Sequence, residues 1–403
     1  MTKNNNIYVP TFIIALLVAL SQLSETIYTP SLPDMARDLQ VLESYAEYTL
    51  TAYLVGFAFG VLVWGTFSDY YGRRKGVMIG LIIYTISSGA CWLAHDITYL
   101  YIFRFAQAFG ASVGSVLGQA IARDAVSPEE RGKVYSIISM VMAFAPAIGP
   151  FIGSITVEKF HWSCVFILLV GFGSILLAIV GLKLPETNTS LCQSKFSFSA
   201  YKNCAGEMIV NKRVWGFSIL IGLINGIIFG YFAESPFYFV ELLEMSKATF
   251  GIMAIYICIP LFIGGWLSKR LNSDKVIQDK IIFYGIVLIC ISSAAYTICT
   301  KFGYINLTSQ INSVSIALGC MFFIMIGNAM IIPNCFSQAL EPFGKFAGTS
   351  SSLFGFVYYI FISALTGVMG WMHDGTLAPM PMFMMMSGIL MLLNYKILIR
   401  KHV

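Results

Sequence analysis

Twelve stretches of roughly 20 mostly apolar residues run through the chain, near 11–32, 48–68, 76–94, 98–121, 134–157, 162–182, 215–240, 249–268, 281–300, 311–339, 347–371 and 379–396. A run of that length and character is what crosses the hydrocarbon core of a bilayer as one helix. Lipid offers backbone groups no partner, so only helices and closed barrels span it, and no segment here alternates as barrel strands do. The expected fold class is an all-α membrane protein with twelve transmembrane helices. Only 11% of the 403 residues are charged, against about 25% in soluble domains; a surface so poor in charge has to face the lipid bilayer.

The basic residues orient the chain. With the N-terminus on the cytoplasmic side, 20 of the 25 lysines and arginines fall in cytoplasmic segments, while Arg37, Lys159, Lys247 and Lys301 fall opposite and Arg104 lies inside a span. That asymmetry is the positive-inside pattern and predicts both termini in the cytoplasm. The net charge of +5 follows from this topology and gives no reason to expect a nucleic-acid partner. The first residues carry one lysine and no small-residue cleavage site after the apolar run, so the first helix is expected to be retained. The nine cysteines show no CxxC spacing and read as small buried hydrophobes; no metal or cofactor is expected. The longest polar stretch, 185–213, divides the chain into an N-terminal six-helix bundle (1–184), a cytoplasmic linker (185–213) and a C-terminal six-helix bundle (214–403), an arrangement suited to rocking halves.

Three motifs carry chemistry. Between helices 2 and 3 stand Gly65, Asp69, Gly72, Arg73, Arg74 and Lys75. A loop on the basic side explains the cations but not the two glycines and the acid at their spacing; glycine permits a sharp turn and close backbone approach. In helix 4, Arg104 is followed by Gln107 and Gly110. An arginine inside a span is a functional candidate by default, with a snorkelling structural arginine as the alternative. In helix 5, Ala145, Pro146, Gly149, Pro150 and Gly153 combine kink-forming prolines with small residues for tight helix contact; a generic kinked packing face is the alternative.

These motifs resemble the cytoplasmic loop signature, the helix-4 arginine motif and the antiporter motif of the major facilitator superfamily, with Ala108 and Ser154 where glycines are usual. SETIYTPSLPDM (24–35), AIARDAVSPEERGK (120–133), LPET (184–187), ESPFYFVE (234–241) and FAGTSSSLFG (346–355) are similar to the twelve-span drug:proton antiporters, above all their bicyclomycin-resistance branch. That branch often carries an aspartate at the position of Thr26; here the acid is Glu25. The resemblance implies two six-helix bundles, a central cavity lined by helices 1, 4 and 7, and an exporter of small amphipathic compounds in the bacterial inner membrane, working by alternating access. It further implies that Arg73 pairs with Asp124. Asp69 is expected to dock on the start of helix 11, 348–352, when the cytoplasmic side is shut, and to be detached or distant when that side is open.

Two acids fall well inside spans, Glu25 and Glu234. At 1.5 Å of rise per residue they and Arg104 lie about 9–10 Å from the periplasmic helix ends, deep enough to share one layer. A carboxylate removed from water holds a proton readily unless a cation sits beside it, which is the chemistry that proton coupling needs. Glu25 is expected to carry the proton, Arg104 to modulate it, and Glu234 to act as a weaker acid that recognises cationic substrates; an interfacial acid at the Ser235-Pro236 bend is the alternative for Glu234. Tyr28, Tyr53, Phe57, Asn225, Phe229, Phe237 and Asn328 are candidates to line an adaptable substrate pocket. The small residues of helix 5 are expected to pack it on helix 8 near Pro260. The partners expected are a small-molecule substrate and protons, with the chain a monomer and not an enzyme. A dedicated transporter of one metabolite, such as a siderophore or amino acid, is the alternative within transport. A receptor is disfavoured because no soluble domain exceeds a loop, and an ATP-driven pump because no GxxxxGK[ST] loop is present.

Overall fold

The computed structural model describes residues 9–188, 198–339 and 347–400. Among them are twelve helices long and apolar enough to cross a membrane. These are α1 (Thr11–Asp38), α2 (Glu43–Tyr71), α3 (Arg73–Trp92), α4 (Ile97–Ala125), α5 (Glu130–Lys159) and α6 (Cys164–Lys183), then α7 (Lys212–Leu242), α8 (Lys247–Ser273), α9 (Gln278–Lys301), α10 (Gln310–Ala339), α11 (Thr349–Met372) and α12 (Pro379–Ile399). The linker carries a further short helix, Phe198–Val210.

Proline sets the irregularities. In α1 the regular helix ends at Thr26, a 3-10 turn at Thr29–Ser31 contains Pro30, and a short helix Leu32–Asp38 follows with Pro33 in its first turn. In α8 the helix breaks between Lys247–Tyr256 and Cys258–Ser273, since Pro260 has no N–H to offer the carbonyl four residues earlier. Beyond Pro236, α7 widens into a π-helical stretch, Phe237–Leu242.

Within the first half α2 packs on α4, α4 on α3 and α1 on α5; in the second, α9 packs on α10 and α7 on α11. The halves meet chiefly through two pairs, α2 with α11 and α5 with α8. Large apolar side chains such as Ile175, Leu182 and Phe262 stay exposed on the outer surface, as lipid-facing positions should.

The small face of α5 divides its work differently from the sequence expectation. A Cβ at Gly153 would run into the carbonyl oxygen of Ile27, and one at Gly149 into the Thr26 hydroxyl. The motif glycines therefore let α5 close on α1. The approach to α8 is made mainly by the helix segment before Pro260: Gly251 lies against Ser154 and Phe151. Nearer Pro260 the Cys258 Sγ is 3.9 Å from the Ala143 carbonyl. Periodicity marks which face is small, and it does not say which neighbour takes it.

Candidate functional site

Arg104 is fully buried, and aromatic rings surround it. Its guanidinium carbon lies 3.7 Å from the ring centre of Tyr28 and 4.2 Å from that of Tyr53, within the range where a cation is drawn to a ring face. Its one described hydrogen bond runs from Nη1 to Gln107 Oε1 at 2.5 Å; Nε and Nη2 have none. Gln107 in turn donates to Ser88 Oγ at 2.8 Å. Glu25 sits one turn before Tyr28, 2% exposed, with Oε1 lacking a hydrogen-bond partner. Among the described residues the two charges form no direct ion pair, although Glu25 feels Arg104 through space. The α1–α4 core thus holds a buried acid and a buried cation with no hydrogen bond or ion pair between them among the described residues.

Glu234 does not join that layer. It belongs to a second group whose centre is His373. The imidazole Nδ1 lies 2.9 Å from Glu234 Oε2 and 3.3 Å from Glu47 Oε1, while Nε2 lies 2.5 Å from Glu43 Oε2. Glu47 and Glu234 are both fully buried. Glu47 precedes Tyr53 by six residues, so this group lies about 9 Å along α2 from the Arg104 layer. Glu234 is not among the residues that line the cleft described below. Glu47 and His373 escaped the sequence reading because apolar windows stop where charges begin. The window at 48–68 ends one residue short of Glu47, and that at 347–371 two short of His373. The signal available was the pair of acids four apart, Glu43 and Glu47, entering an apolar run. Donor atoms of Glu47, Glu234 and His373 lie within 4.8 Å of one another, a grouping not foreseen in a chain expected to hold no metal.

The α2–α3 turn is a network of charge. Gly72 has φ +101°, a conformation that side chains rarely adopt. Arg73 Nε donates to Asp124 Oδ2 at 2.9 Å, and its Nη1 contacts Asp69 Oδ1 at 2.5 Å and Ser68 Oγ at 2.6 Å. The carboxylate of Glu186, in the LPET stretch, accepts from the backbone N–H groups of Arg73 at 2.8 Å and Arg74 at 3.2 Å. It closes the exposed start of α3, where unpaired donors favour an anion. Arg74 Nη2 donates to the Gly181 carbonyl at 2.6 Å, and Asn188 Nδ2 to that of Asp69 at 2.9 Å. The LPET likeness was visible in the sequence; its contact with a turn more than a hundred residues away was not.

On this side, shared with the linker, a cleft of about 570 Å³ opens between the halves. Asp69, Arg73 and Arg123 line it from the first half; Thr349, Ser351, Ser352, Tyr358 and Tyr359 line it from the second. Asp69 and the start of α11 therefore border one space; residue 346 and those just before it lie outside the described residues, and side chains at 347 and 348 are not described. On the opposite side the halves are joined. Asp34 pairs with Lys247, Arg37 Nη2 is 3.3 Å from Glu241 Oε1, and the His373 group bridges α2 to α7 and the end of α11.

The expected substrate residues do not line this cleft. Tyr28 and Tyr53 flank Arg104; Phe57 stands one ring behind the wall, 4.6 Å from Tyr359; Phe237 packs on His373 with ring centres 5.2 Å apart. Asn225 Nδ2 donates back to the Ile221 carbonyl at 3.0 Å, and Phe229 meets Phe232 edge-on. Asn328 is buried, its Oδ1 without a hydrogen-bond partner. Tyr28, Tyr53, Phe57, Phe229, Phe237 and Asn328 are buried and Asn225 is half-buried.

Two bundles that touch at one membrane face and part at the other, over charged residues in their cores, define a transporter. The model of the Major Facilitator Superfamily matches residues 14–366, and the chain belongs to that family. It is 35% identical to an uncharacterized transporter of Rickettsia felis, covering 92% of this chain and 91% of the relative. It is 26% identical to multidrug resistance protein D of Escherichia coli, covering 94% and 93%, and 24% identical to a bicyclomycin resistance protein homolog of Haemophilus influenzae, covering 100% and 99%. Among solved structures it is similar to the nucleoside transporter NupG, with a TM-score of 0.75 at 12% identity over 97% of this chain and all of that one.

Proposed function

We propose that the chain is a proton-coupled antiporter that exports small amphipathic compounds across the inner membrane of a bacterium by alternating access, with both termini in the cytoplasm. The observation that carries this reading is Glu25: a carboxyl 2% exposed, with an oxygen unpartnered, in the same core as a buried arginine with which it forms no ion pair. Such a group changes its proton occupancy when a cation nears or water enters. Relatives named for bicyclomycin and multidrug resistance support export of drug-like compounds. The aromatic second-half wall of the cleft, Phe354, Tyr358 and Tyr359, suits amphipathic cargo, and the 20-to-4 division of basic residues supports the orientation. The chain works as a monomer, its halves 1–184 and 214–403 moving about the linker 185–213. Asp69, Arg73 and Asp124, with the α2–α3 turn, form the cytoplasmic gate.

The test is pH-gradient-driven uptake into inverted vesicles, with substrates chosen from a panel of toxic compounds screened in a pump-deficient host. The parent chain should accumulate substrate in acid-interior vesicles. Glu25→Gln should still bind substrate and lose the driven accumulation. Transport by Glu25→Gln at the parent rate would remove Glu25 as the proton carrier.

A further inference from the structure

Glu43, Glu47, Glu234 and His373 come from both halves of the molecule, and no Lys or Arg among the described residues pairs with them. From α2 the group receives Glu43 and Glu47; from α7, Glu234 and the Phe237 ring; from the chain after α11, His373 and the exposed Asp374. With three carboxylates ionised and the imidazole neutral, two of those charges, on Glu47 and Glu234, would be fully buried at the contact between halves. That would drive them apart. Both oxygens of Glu47 and one of Glu234 are buried without a hydrogen-bond partner.

The imidazole geometry suits a proton as what fills the deficit. Both ring nitrogens face carboxylate oxygens, at 2.5 and 2.9 Å. A ring can donate from both nitrogens only when doubly protonated, and neither then has a lone pair for a metal. We propose that this box is a proton-binding latch. It binds protons from the aqueous phase on the side away from the termini, closes that side when occupied, and returns those protons to the same side when it opens. In the latched state His373 is an imidazolium held between Glu43 and Glu234, and Glu47 carries a proton it shares with Glu234. Opening separates α2 from α7 and α11, hydrates the acids and releases the protons. This latch is a pH sensor at the gate, separate from Glu25, which carries the transported proton in the reading above. It rests on that reading only for the physiological setting.

The test needs no substrate. Spin labels at Leu42→Cys and Tyr304→Cys, both exposed and on the latched side in opposite halves, report its opening by electron–electron distance measurement. The protein is held in lipid nanodiscs with native cysteines replaced. Between about pH 5 and 8, the closed-to-open ratio of the parent should fall with rising pH, by up to about tenfold per pH unit for each of the two linked protons. Glu47→Gln mimics the protonated acid, leaves only the His373 proton linked, and should respond less steeply and stay closed to higher pH than the parent. His373→Gln removes the cation and should open at a pH where the parent is closed, which guards against a Glu47 variant that misfolds. A ratio that ignores pH in the parent overturns the latch. So does an identical response in Glu47→Gln, or a response that appears only with added Zn²⁺. A pH-insensitive ratio alongside proton-driven export would sink the latch and spare Glu25; a pH-sensitive ratio without proton-driven export would do the reverse.

Discussion

Arg104 makes no ion pair among the described residues, so its hold depends on the rings of Tyr28, Tyr53 and Phe166 and one amide. Gln107→Leu deletes the amide without changing the size of the side chain much, leaving a buried guanidinium with no described hydrogen bond. Removing the partner of a buried charged donor costs about 1–3 kcal/mol. We expect thermal unfolding in detergent to shift down accordingly and transport to fall with it. An unchanged unfolding temperature would mean that the rings alone suffice. The sequence exposed Arg104, Glu25 and Glu234 because each interrupts an apolar run. It concealed Glu47 and His373, which stand at the ends of runs and look like interfacial residues until α2 is seen to extend past Glu47 and His373, just after α11, is seen to turn between Glu43 and Glu234. It also concealed the separation of Glu234 from Arg104, because depth along a helix says nothing about which neighbour a side chain turns toward.

At the scale of helices, the contact of α5 with α1 makes a graded prediction. At Gly153 an added methyl would sit 1.8 Å from the Ile27 carbonyl oxygen, which can yield only if the helices part; at Gly149 its nearest neighbour is the Thr26 hydroxyl, which can rotate, with the Ile27 main-chain nitrogen next at 3.0 Å. Gly153→Ala should therefore impair transport more than Gly149→Ala, with a stability loss of about 1–3 kcal/mol for the overpacked pair. Transport assays and unfolding of the two variants, each with membrane insertion confirmed, check the order. If Gly149→Ala is the more damaging, close packing on α1 is not what the motif provides. The proline and glycine spacing makes this face legible; its partner is not, because no sequence pattern pairs one helix with another.

For the molecule as a whole, the far side is held by pairs that cross between halves. Asp34→Lys should set two ammonium groups against each other and depress transport, and adding Lys247→Asp should restore much of it. Because Asp34 also meets Arg37 at 2.5 Å, the rescue should be incomplete, and a double variant no better than the single one would show that the pair does not govern closure. Glu186 and Asn188 have a mechanical consequence. They fasten the start of the linker to the first half at the α2–α3 turn, while the helix Phe198–Val210 lies against α11 and α7 of the second. Only ten residue steps (198 − 188) separate these anchorages. Fully extended, they reach about 35 Å. The connection is therefore a short leash. It sets an upper limit on how far these two anchorages can part, and any pull reached at that limit would fall on the turn that bears Asp69 and Arg73.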